Sequence, residues 1–432
     1  MKVERYVIIG NSTAAVAAVE AIRSVDPRGT ITLVASEPYH TYSRPLISYY
    51  LSGQVGEEQL LYRPPAFYQK NGVTPRLATS VVGLDPVNRR LMLEPASPQS
   101  KKSGPGSRCR PDPGEYLEFD RLLLATGSRP AAPPLPGLNL SGVHYFYTLD
   151  QVKAIRAEIS KNTSVVVLGA GLIGMKAAEA LNKLGCPVAV VEVVDRILGT
   201  VLDPEAASLD QSWMEEHGIK FYLNRRATEI AGSKKVTSVK LDDGTELKCS
   251  LVVIATGVRP NLELAAGSAI KTQQGIEVNQ FQETSVPGVF CAGDVCQGFD
   301  RLSGKSRLTP ILPSAYHQGW IAGLNMAGRP TANPGLVAFN STTFFGLPVV
   351  TMGLGFDAQP AGAVRLSRIS GRAYRSLVFD GEQLVGGVFI NCGQRAGILR
   401  RLVQDRVPVL KQKEYLLEQV PRLIDFPTVQ LG

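Results

Sequence analysis

An internal repeat is the feature that most limits the folds open to this chain. Three signals occur twice in the same order: an apolar run entering a turn of small residues, an apolar run ending in glutamate, and an apolar run ending in Ala-Thr-Gly. The two copies of each lie at residues 7–15 and 165–174, 32–37 and 189–192, and 122–130 and 252–260, the last pair including an Arg-Pro shortly after Ala-Thr-Gly. Two copies of one domain plan are therefore predicted.

The alternation of apolar strands with helical stretches predicts an α/β fold with two doubly wound, parallel-sheet domains. The pattern changes from about residue 331, where two alternating runs flank Asp380-Gly381 and a helical stretch follows near residues 394–404. A β-hairpin and a helix, hence a C-terminal α+β domain, are predicted there. Residues 95–115 are rich in Pro, Gly, Ser, Lys and Arg, which predicts an exposed, mobile loop.

Composition and charge exclude several classes of protein. With 432 residues, 44% of them hydrophobic, the chain is long enough for more than one domain at roughly 150 residues each. The net charge of +8 is spread along the chain without a Lys/Arg run, which favours an acidic partner and argues against nucleic-acid binding. No apolar stretch approaches the ~18 residues that span a bilayer, so no membrane insertion is expected.

The six cysteines are scattered and contain no C-x-x-C pair. This distribution argues against a zinc ribbon or an iron–sulfur cluster, and no metal site is predicted. The apolar run at residues 6–9 leaves no room for a signal peptide before it. A cytoplasmic location is therefore expected.

The turn of the second copy has the spacing of a dinucleotide-binding motif. Gly169 is expected to make the tight turn, Gly171 to let the backbone approach a pyrophosphate, and Gly174 to let helix and strand pack closely. Leu172 and Ile173 open the helix, whose N-terminal N–H groups favour an anion.

An acidic residue ends the next strand in both copies. Glu192 is placed to accept hydrogen bonds from a ribose 2′-hydroxyl and to repel a 2′-phosphate, which favours NAD over NADP. The first copy is weaker by itself, because Gly10 is followed by Ser12 and Ala15 where glycines are expected. With Glu37 at the end of its second strand, it is predicted to be a second dinucleotide site.

A Gly-Asp segment at residues 284–294 precedes a helix expected from about residue 314 to residue 326. Together with the two repeats, it resembles the FAD/NAD-linked reductases of the pyridine nucleotide–disulfide oxidoreductase superfamily over essentially the whole chain. The resemblance implies a glutathione-reductase-like architecture. Its segments are an FAD-binding domain at 1–150 and 279–330, an NAD-binding domain at 151–278 and a C-terminal interface domain at 331–432.

The same resemblance implies the residues that hold each cofactor. Asp294 would bind the FAD ribityl or phosphate region, and the start of the following helix would direct its positive end at the flavin pyrimidine. The residues implied for FAD are Gly10, Ser12, Ala14, Ala15, Glu37, Arg44, Pro45, Val82, Ala125, Thr126, Gly127, Arg129, Gly293, Asp294, Ser314 and Ala315. Those implied for NAD(H) are Gly169, Gly171, Leu172, Ile173, Gly174, Glu192, Thr256 and Gly257.

Cysteine positions separate the branches of this superfamily. No cysteine precedes Cys109, so the redox disulfide of the disulfide reductases is missing, and residues 42–45 lack the single cysteine of NADH oxidases and peroxidases. Cys291 and Cys296 flank the Gly-Asp segment, and packing is the favoured interpretation over a redox pair.

Residues 39–48 resemble the flavin-side segment of ferredoxin and rubredoxin reductases and of nitrite reductase flavin modules. Those relatives often carry a Lys–Glu ion pair, and the two places here hold Tyr49 and Lys176. With Arg44, these residues are the implied catalytic candidates. Lys176 either brings a cation towards the flavin from the NAD side or is a solvated helix residue.

The chain is also similar to the FAD subunits of multi-subunit NAD-linked oxidoreductases such as phenylglyoxylate dehydrogenase. That similarity implies electron transfer between NAD(H) and an iron–sulfur protein or partner subunit through FAD. The alternatives are a free-standing NADH-dependent rubredoxin, ferredoxin or nitrite reductase component, an NADH oxidase, or a non-catalytic flavoprotein. The basic segment 395–406 is a candidate docking surface, with a solvated helix face as its alternative, and a homodimer is a further expectation.

Overall fold

The computed structural model describes residues 3–96, 115–335, 337–355, 360–409 and 412–426. Most of the segment predicted to be a mobile loop, residues 97–114, lies outside the described residues. The chain groups into two compact units, and the four domain limits inferred from the sequence stay a prediction. The first unit comprises Met1–Ser43, Glu58–Arg129 and Pro260–Leu336, and the second comprises Arg44–Glu57, Pro130–Arg259 and Val337–Gly432.

The first unit is built on a five-stranded parallel sheet. Its strands are β1 (Arg5–Ile9), β2 (Thr30–Val34), β3 (Val73–Arg76), β7 (Arg121–Leu124) and β19 (Val289–Cys291). They are ordered β19-β7-β1-β2-β3, so β1 is central. Two three-stranded sheets accompany them, namely β4 (Thr79–Asp85), β5 (Arg90–Pro95) and β6 (Glu115–Glu118), and β18 (Ile276–Glu277), β20 (Cys296–Asp300) and β21 (Lys305–Leu308).

Small residues let two helices of this unit pack at close range. The two are α1 (Thr13–Val25) and α7 (Leu312–Met326), and the unit also contains α3 (Phe67–Lys70). A Cβ at Gly319 would clash with the carbonyl oxygen of Ala14, and a Cβ at Gly323 with that of Ala18. Helices α1 and α7 therefore meet backbone to backbone over the buried face of the parallel sheet.

The second unit repeats the arrangement of the first. Its parallel sheet contains β9 (Val143–Tyr145), β10 (Val165–Leu168), β11 (Val188–Val191), β12 (Lys220–Tyr222) and β16 (Leu251–Ile254), ordered β12-β11-β10-β16-β9. In both sheets the strand entering the small-residue turn is central. It lies between the strand that precedes the glutamate and the strand that precedes Ala-Thr-Gly. The predicted pair of doubly wound sheets is confirmed.

The remaining elements complete the second unit. An antiparallel sheet contains β13 (Ala227–Gly232), β14 (Val236–Leu241) and β15 (Glu246–Lys248). Short strands β8 (Ser128–Pro130) and β17 (Val258–Pro260) lie where the chain passes between units. The helices are α2 (Ile47–Leu51), α4 (Leu149–Glu158), α5 (Leu172–Lys183), α6 (Pro204–Glu216), α8 (Ala396–Asp405) and α9 (Lys413–Glu418), and 3₁₀ turns occur at Arg44–Leu46, Glu57–Leu60 and Leu423–Asp425.

The C-terminal part of the second unit is an antiparallel sheet with helices. Its strands are β22 (Phe339–Phe344), β23 (Leu347–Gly353), β24 (Val364–Ser370), β25 (Ala373–Asp380) and β26 (Gln383–Ile390), ordered β22-β23-β26-β25-β24. Strands β25 and β26 form the hairpin predicted around Asp380-Gly381, and α8 is the predicted helix. The α+β character expected here is confirmed.

Candidate functional site

The turn after β10 forms a cradle whose glycines have distinct roles. Gly169 has φ +105°, and a Cβ there would clash with the carbonyl oxygen of Ala255. A Cβ at Gly174 would clash with the carbonyl oxygen of Gly169, so the start of α5 lies against the turn. At Gly171 an added Cβ would meet no atom of the described residues within 4 Å. The space beside Gly171 is therefore open.

The N-terminus of α5 faces the same turn. Gly171 is its N-cap, Leu172 and Ile173 are its first residues, and no side chain in the described part of the chain caps it. Uncapped N–H groups at a helix start attract anions. The open space at Gly171 and these N–H groups fit a dinucleotide pyrophosphate.

Glu192 is held beside this cradle by backbone amides. Its Oε2 accepts from the N–H of Ala170 at 2.7 Å, and its Oε1 accepts from the N–H groups of Val193 and Val194 at 2.8 and 3.2 Å. Backbone amides of the glycine turn and of the residues after β11 therefore fix the orientation of the Glu192 carboxylate. Its place at the end of β11 fits the ribose-binding role expected for it.

The second Ala-Thr-Gly segment lies at the end of β16, next to the cradle. The N of Thr256 and the carbonyl group of Ala255 are among the atoms nearest to an added Cβ at Gly169. The hydroxyl of Thr256 donates to the carbonyl oxygen of Ala131 at 2.9 Å, and Gly257 has φ +105°. The structure therefore brings together the residues predicted for NAD(H).

The first unit contains the corresponding turn after β1. Gly10 has φ +124°, and a Cβ there would clash with the carbonyl oxygen of Ala125. Ser12 is the N-cap of α1, and no side-chain hydrogen bond caps the helix among the described residues. Ala14 and Ala15 are buried residues of α1, and Ala15 is a small residue at a position where the motif has glycine.

Glu37 and Val82, both predicted for FAD, have different surroundings. The carboxylate of Glu37 accepts a hydrogen bond from the hydroxyl of Tyr42 at 2.6 Å. Val82 lies on β4 and is 43% exposed. Its predicted contact with FAD stays a prediction.

Asn261, which sequence reasoning missed, holds the first Ala-Thr-Gly segment in place by hydrogen bonds. The amide of Asn261 donates to the carbonyl oxygen of Thr126 at 2.8 Å, and its backbone N–H donates to that of Gly127 at 3.0 Å. The guanidinium of Arg129 donates to the Asn261 side chain at 2.9 Å and also pairs with Glu263. Asn261 directly follows the Arg-Pro of the second repeat, which is the one sequence signal that could have found it.

Three of the buried polar atoms in the first unit that lack a hydrogen-bond partner among the described residues belong to segments implied for the flavin. They are the Nε2 of His40, the Oγ1 of Thr41 and the Oγ of Ser314. Ser314 lies in the first turn of α7, beside Ala315 and close to the Gly293 turn. Buried polar groups are normally paired, so these atoms fit a polar ligand such as FAD. His40 and Thr41 lie in the segment 39–48 that resembles the flavin-side segment of related reductases, but they were not among the individual residues implied for FAD.

Lys176 and Tyr49 meet within the second unit. The Lys176 ammonium lies 4.7 Å from the Tyr49 ring centroid, donates to the carbonyl oxygen of Thr343 at 3.1 Å and pairs with Glu179 at 2.5 Å. Its side chain is 16% exposed. The solvated-lysine alternative is therefore wrong. A cation–π contact stands where relatives carry an ion pair, and a role at the flavin stays a prediction.

Two buried carboxyl groups interact here, Glu179 beside Lys176 and Asp210 near Glu179. Burial opposes ionisation of Glu179, but hydrogen bonds from Lys176 and Lys183 outweigh it and lower its pKa. Asp210 on α6 is fully buried, and neither carboxyl oxygen has a hydrogen-bond partner among the described residues. Burial and the negative charge of Glu179 raise the pKa of Asp210 to about 7.

Arg44 and Pro45 form a 3₁₀ turn that groups with the second unit. The guanidinium of Arg44 donates to the carbonyl oxygen of Tyr147 at 3.1 Å and lies 5.1 Å from its ring centroid. These contacts hold the arginine in place. Its predicted part in FAD binding and catalysis stays a prediction.

The thiols beside the Gly-Asp segment are buried. Cys291 and Cys296 are both fully buried, and the five cysteines in the described ranges form no disulfide. Burial and the neighbouring Cys296 raise the pKa of Cys291. These surroundings favour the packing interpretation, since reactive thiols are usually exposed and of low pKa.

The described residues hold no group of three or more His, Cys, Asp or Glu side chains that could bind a metal ion. Within the same part of the chain, no helix combines the length and apolar character needed to cross a membrane.

Comparisons with known proteins match this geometry. The family model described as pyridine nucleotide-disulphide oxidoreductase matches residues 4–319. The epsilon subunit of NADH-dependent phenylglyoxylate dehydrogenase from Aromatoleum evansii is 31% identical over 93% of this chain and 92% of its own. The assimilatory nitrate reductase electron transfer subunit of Bacillus subtilis (strain 168) is 27% identical, and this chain spans 51% of its length.

A solved structure has the same architecture. The ferredoxin reductase for the CYP199A2 system from Rhodopseudomonas palustris superposes with a TM-score of 0.83 at 28% identity. The match covers 93% of this chain and 95% of that one.

Proposed function

This chain belongs to the pyridine nucleotide-disulphide oxidoreductase family, and from that premise we propose that it carries electrons between NAD(H) and an iron–sulfur protein. It is an oxidoreductase that uses FAD and NAD(H). FAD, when bound, exchanges a hydride with the nicotinamide and single electrons with the partner. Cytoplasmic location, the expectation from the scattered cysteines, is part of the proposal.

We assign one cofactor to each unit. In the first unit, FAD would be held by Gly10, Ser12, Glu37, Asp294 and the start of α7. The buried polar atoms of His40, Thr41 and Ser314 that lack a partner among the described residues support a bound polar group there. The Gly169 cradle and Glu192 would hold NAD(H) in the second unit. The protein residues thereby bind and orient the two cofactors.

The observation that carries the choice of partner is that, among the described residues, no accessible thiol lies beside the Gly-Asp segment or in the segments where related enzymes carry a relay cysteine. No cysteine precedes Cys109, and Cys291 and Cys296 are fully buried. A flavin without a relay thiol needs an external acceptor or donor. The relatives described above are a dehydrogenase subunit, an electron transfer subunit and a ferredoxin reductase, and these functions support a protein in that role.

Turnover should be independent of these thiols. We expect Cys291→Ala and Cys296→Ala variants that retain FAD to keep NADH-to-dye rates within about tenfold of wild type, because burial makes the thiols unreactive. Steady-state dye reduction with the FAD content measured in parallel checks this. A larger loss in an FAD-loaded variant would restore the thiol-relay alternative.

The surroundings of helix α8 reduce the number of arginines in segment 395–406 that could contact a partner. Arg401 pairs with Asp405, and the Arg400 guanidinium lies 5.4 Å from the Phe339 ring centroid. Both residues are also half-buried, so they are poorer candidates for a partner contact than exposed arginines. Arg395 and Arg406 lie exposed at the two ends of α8, and we propose that they face an acidic partner.

Salt dependence tests the proposed function. We expect electron transfer from a reduced ferredoxin to NAD to fall at least about fivefold between about 50 and 500 mM salt, since screening weakens steering of an acidic partner. Arg395→Glu/Arg406→Glu should lower the low-salt rate and flatten the salt slope. Lys234→Glu/Lys235→Glu on the exposed β13–β14 turn makes the same charge change and is the matched control. It should keep the wild-type low-salt rate and the wild-type salt slope.

NADH-to-dye activity is the internal control. An unchanged ferredoxin rate and salt slope in the α8 variant would place the docking surface elsewhere. If neither ferredoxin nor rubredoxin supports turnover while dye reduction is normal, the proposed electron-transfer partner is wrong.

A further inference from the structure

Two buried side chains hold the turn that carries Asp294. The Oε1 of Gln318 accepts a hydrogen bond from the N–H of Gly293 at 2.9 Å, and the hydroxyl of Ser128 donates to the Oδ2 of Asp294 at 3.0 Å. We propose that Gln318 and Ser128 are positioning residues that set the geometry of Asp294 for FAD. This inference rests on the proposed role of Asp294 as an FAD ligand.

The backbone N–H of Gly293 needs a hydrogen-bond acceptor from outside its own turn. Gly293 has φ +83°, and a Cβ there would lie 3.4 Å from the Cβ of Ala14 and 3.9 Å from that of Ala315. The turn is thus confined between the starts of α1 and α7. Its buried N–H is satisfied by Gln318, which is itself only 6% exposed. Removing that acceptor would leave a buried donor unpaired and free the turn to move.

Ser128 acts on the carboxylate itself. It follows the Ala-Thr-Gly segment after β7, whereas Asp294 follows β19, and the two strands are parallel neighbours. Ser128 is only 7% exposed, so water does not readily replace its hydroxyl as the hydrogen-bond donor to Asp294. One carboxylate oxygen of Asp294 is therefore oriented by a buried donor, which is a stronger constraint than the same bond on the surface.

The two contacts join three separate stretches of the chain. Ser128 belongs to the part before the inserted repeat, Asp294 to the part after it, and Gln318 to α7. Each stretch also contributes residues predicted to touch FAD. We call Ser128, Gln318 and the turn they hold the clamp. Because it joins separate stretches of the chain, FAD retention depends on the correct assembly of these stretches in the first unit.

The test uses the FAD-loaded enzyme and follows flavin release by fluorescence after dilution. Ser128→Ala and Gln318→Leu should each release FAD about tenfold faster, as expected for one lost hydrogen bond to a charged or buried group. Ser128→Thr keeps a hydroxyl and Gln318→Glu keeps an acceptor oxygen, so both should release FAD more slowly than Ser128→Ala and Gln318→Leu. Ser24→Ala, which removes a hydroxyl near the end of α1, should match wild type.

A double-mutant cycle separates positioning from general stability. If Ser128 acts through Asp294, then Ser128→Ala/Asp294→Asn should release FAD no faster than Asp294→Asn alone. The midpoint potential of the bound flavin should also shift in Ser128→Ala and return in Ser128→Thr. A merely structural role would lower the thermal midpoint without changing release rate or potential.

Two outcomes would overturn the proposal in different ways. Additive effects in the cycle, or wild-type release from both Ser128→Ala and Gln318→Leu while Asp294→Asn releases FAD quickly, would exclude the positioning role alone. Wild-type release from Asp294→Asn would overturn the FAD role of Asp294 together with the clamp. NADH-to-dye electron transfer by the loaded variants would still report on the proposed function independently.

Discussion

Gly171→Ala is expected to raise the KM for NADH at least about tenfold while the protein folds normally, since the new methyl group would occupy the path of the pyrophosphate. The backbone at Gly171 has φ −75° and ψ 177°, which any residue adopts. An added Cβ would meet no atom within 4 Å in the part of the chain that the structure describes. Nothing in the protein itself therefore opposes the substitution.

Two further glycines make this prediction specific. At Gly397 in α8 a Cβ also meets nothing within 4 Å among the described residues, so Gly397→Ala should leave KM unchanged and stabilise the helix slightly. Gly174→Ala introduces a clash with the backbone of Gly169 and should lower the free energy of unfolding as well as NADH affinity.

Steady-state kinetics with a dye acceptor and urea unfolding measure the two effects of these glycine substitutions separately. A KM for NADH in Gly171→Ala that stays within about twofold of wild type, a change of under 0.5 kcal/mol, would show that the pyrophosphate does not pass over this residue.

Wild-type enzyme is expected to prefer NADH over NADPH by roughly 5- to 150-fold in kcat/KM, which corresponds to about 1–3 kcal/mol of like-charge repulsion. The carboxylate of Glu192 is held by the amides of Ala170, Val193 and Val194 and cannot swing away freely from a 2′-phosphate. Glu192→Gln keeps the shape of the side chain and removes its charge. That variant should narrow the preference mainly by improving the use of NADPH.

Asp195→Asn provides the matched control. Asp195 also carries a carboxylate near the end of β11, but its side chain is 63% exposed and pairs with Arg196. Removing that charge should change the NADH/NADPH ratio little, because exposed charges are strongly screened. Equal kcat/KM values for the two nucleotides in wild type, or an unchanged ratio in Glu192→Gln, would contradict the role assigned to Glu192.

Local patterns were enough to predict much of the architecture. The hairpin around Asp380-Gly381 and helix α8 followed from alternation and turn chemistry, and the structure confirms both. Helix α7 begins at Leu312, two residues before the predicted start, because Pro313 fits the first turn of a helix. The small antiparallel sheets β4–β6 and β13–β15 were not predicted, since their strands are half exposed and carry weak periodicity.

The sites were predicted less completely than the fold. The glycine cradle, Glu192 and the Gly-Asp segment have recognisable spacings, so sequence reasoning found them. The side chains that hold these motifs have no such signature. Gln318 and Asn261 make their decisive hydrogen bonds to backbone atoms of distant residues, and a glutamine or asparagine in a helix or loop is otherwise unremarkable in sequence.

The sequence by itself determined the duplicated α/β plan, the two small-residue turns predicted to hold dinucleotides, and the lack of cysteine before Cys109, because each depends on residue type and spacing within a short segment. Only the tertiary structure decided that Ser128 meets Asp294, that Gln318 meets Gly293, and that Lys176 lies against the ring of Tyr49. The physical reason is that these contacts depend on the order in which strands and helices become neighbours in the fold. That order is set by burial of the whole apolar surface and by the packing of the helices over it, and not by any local pattern.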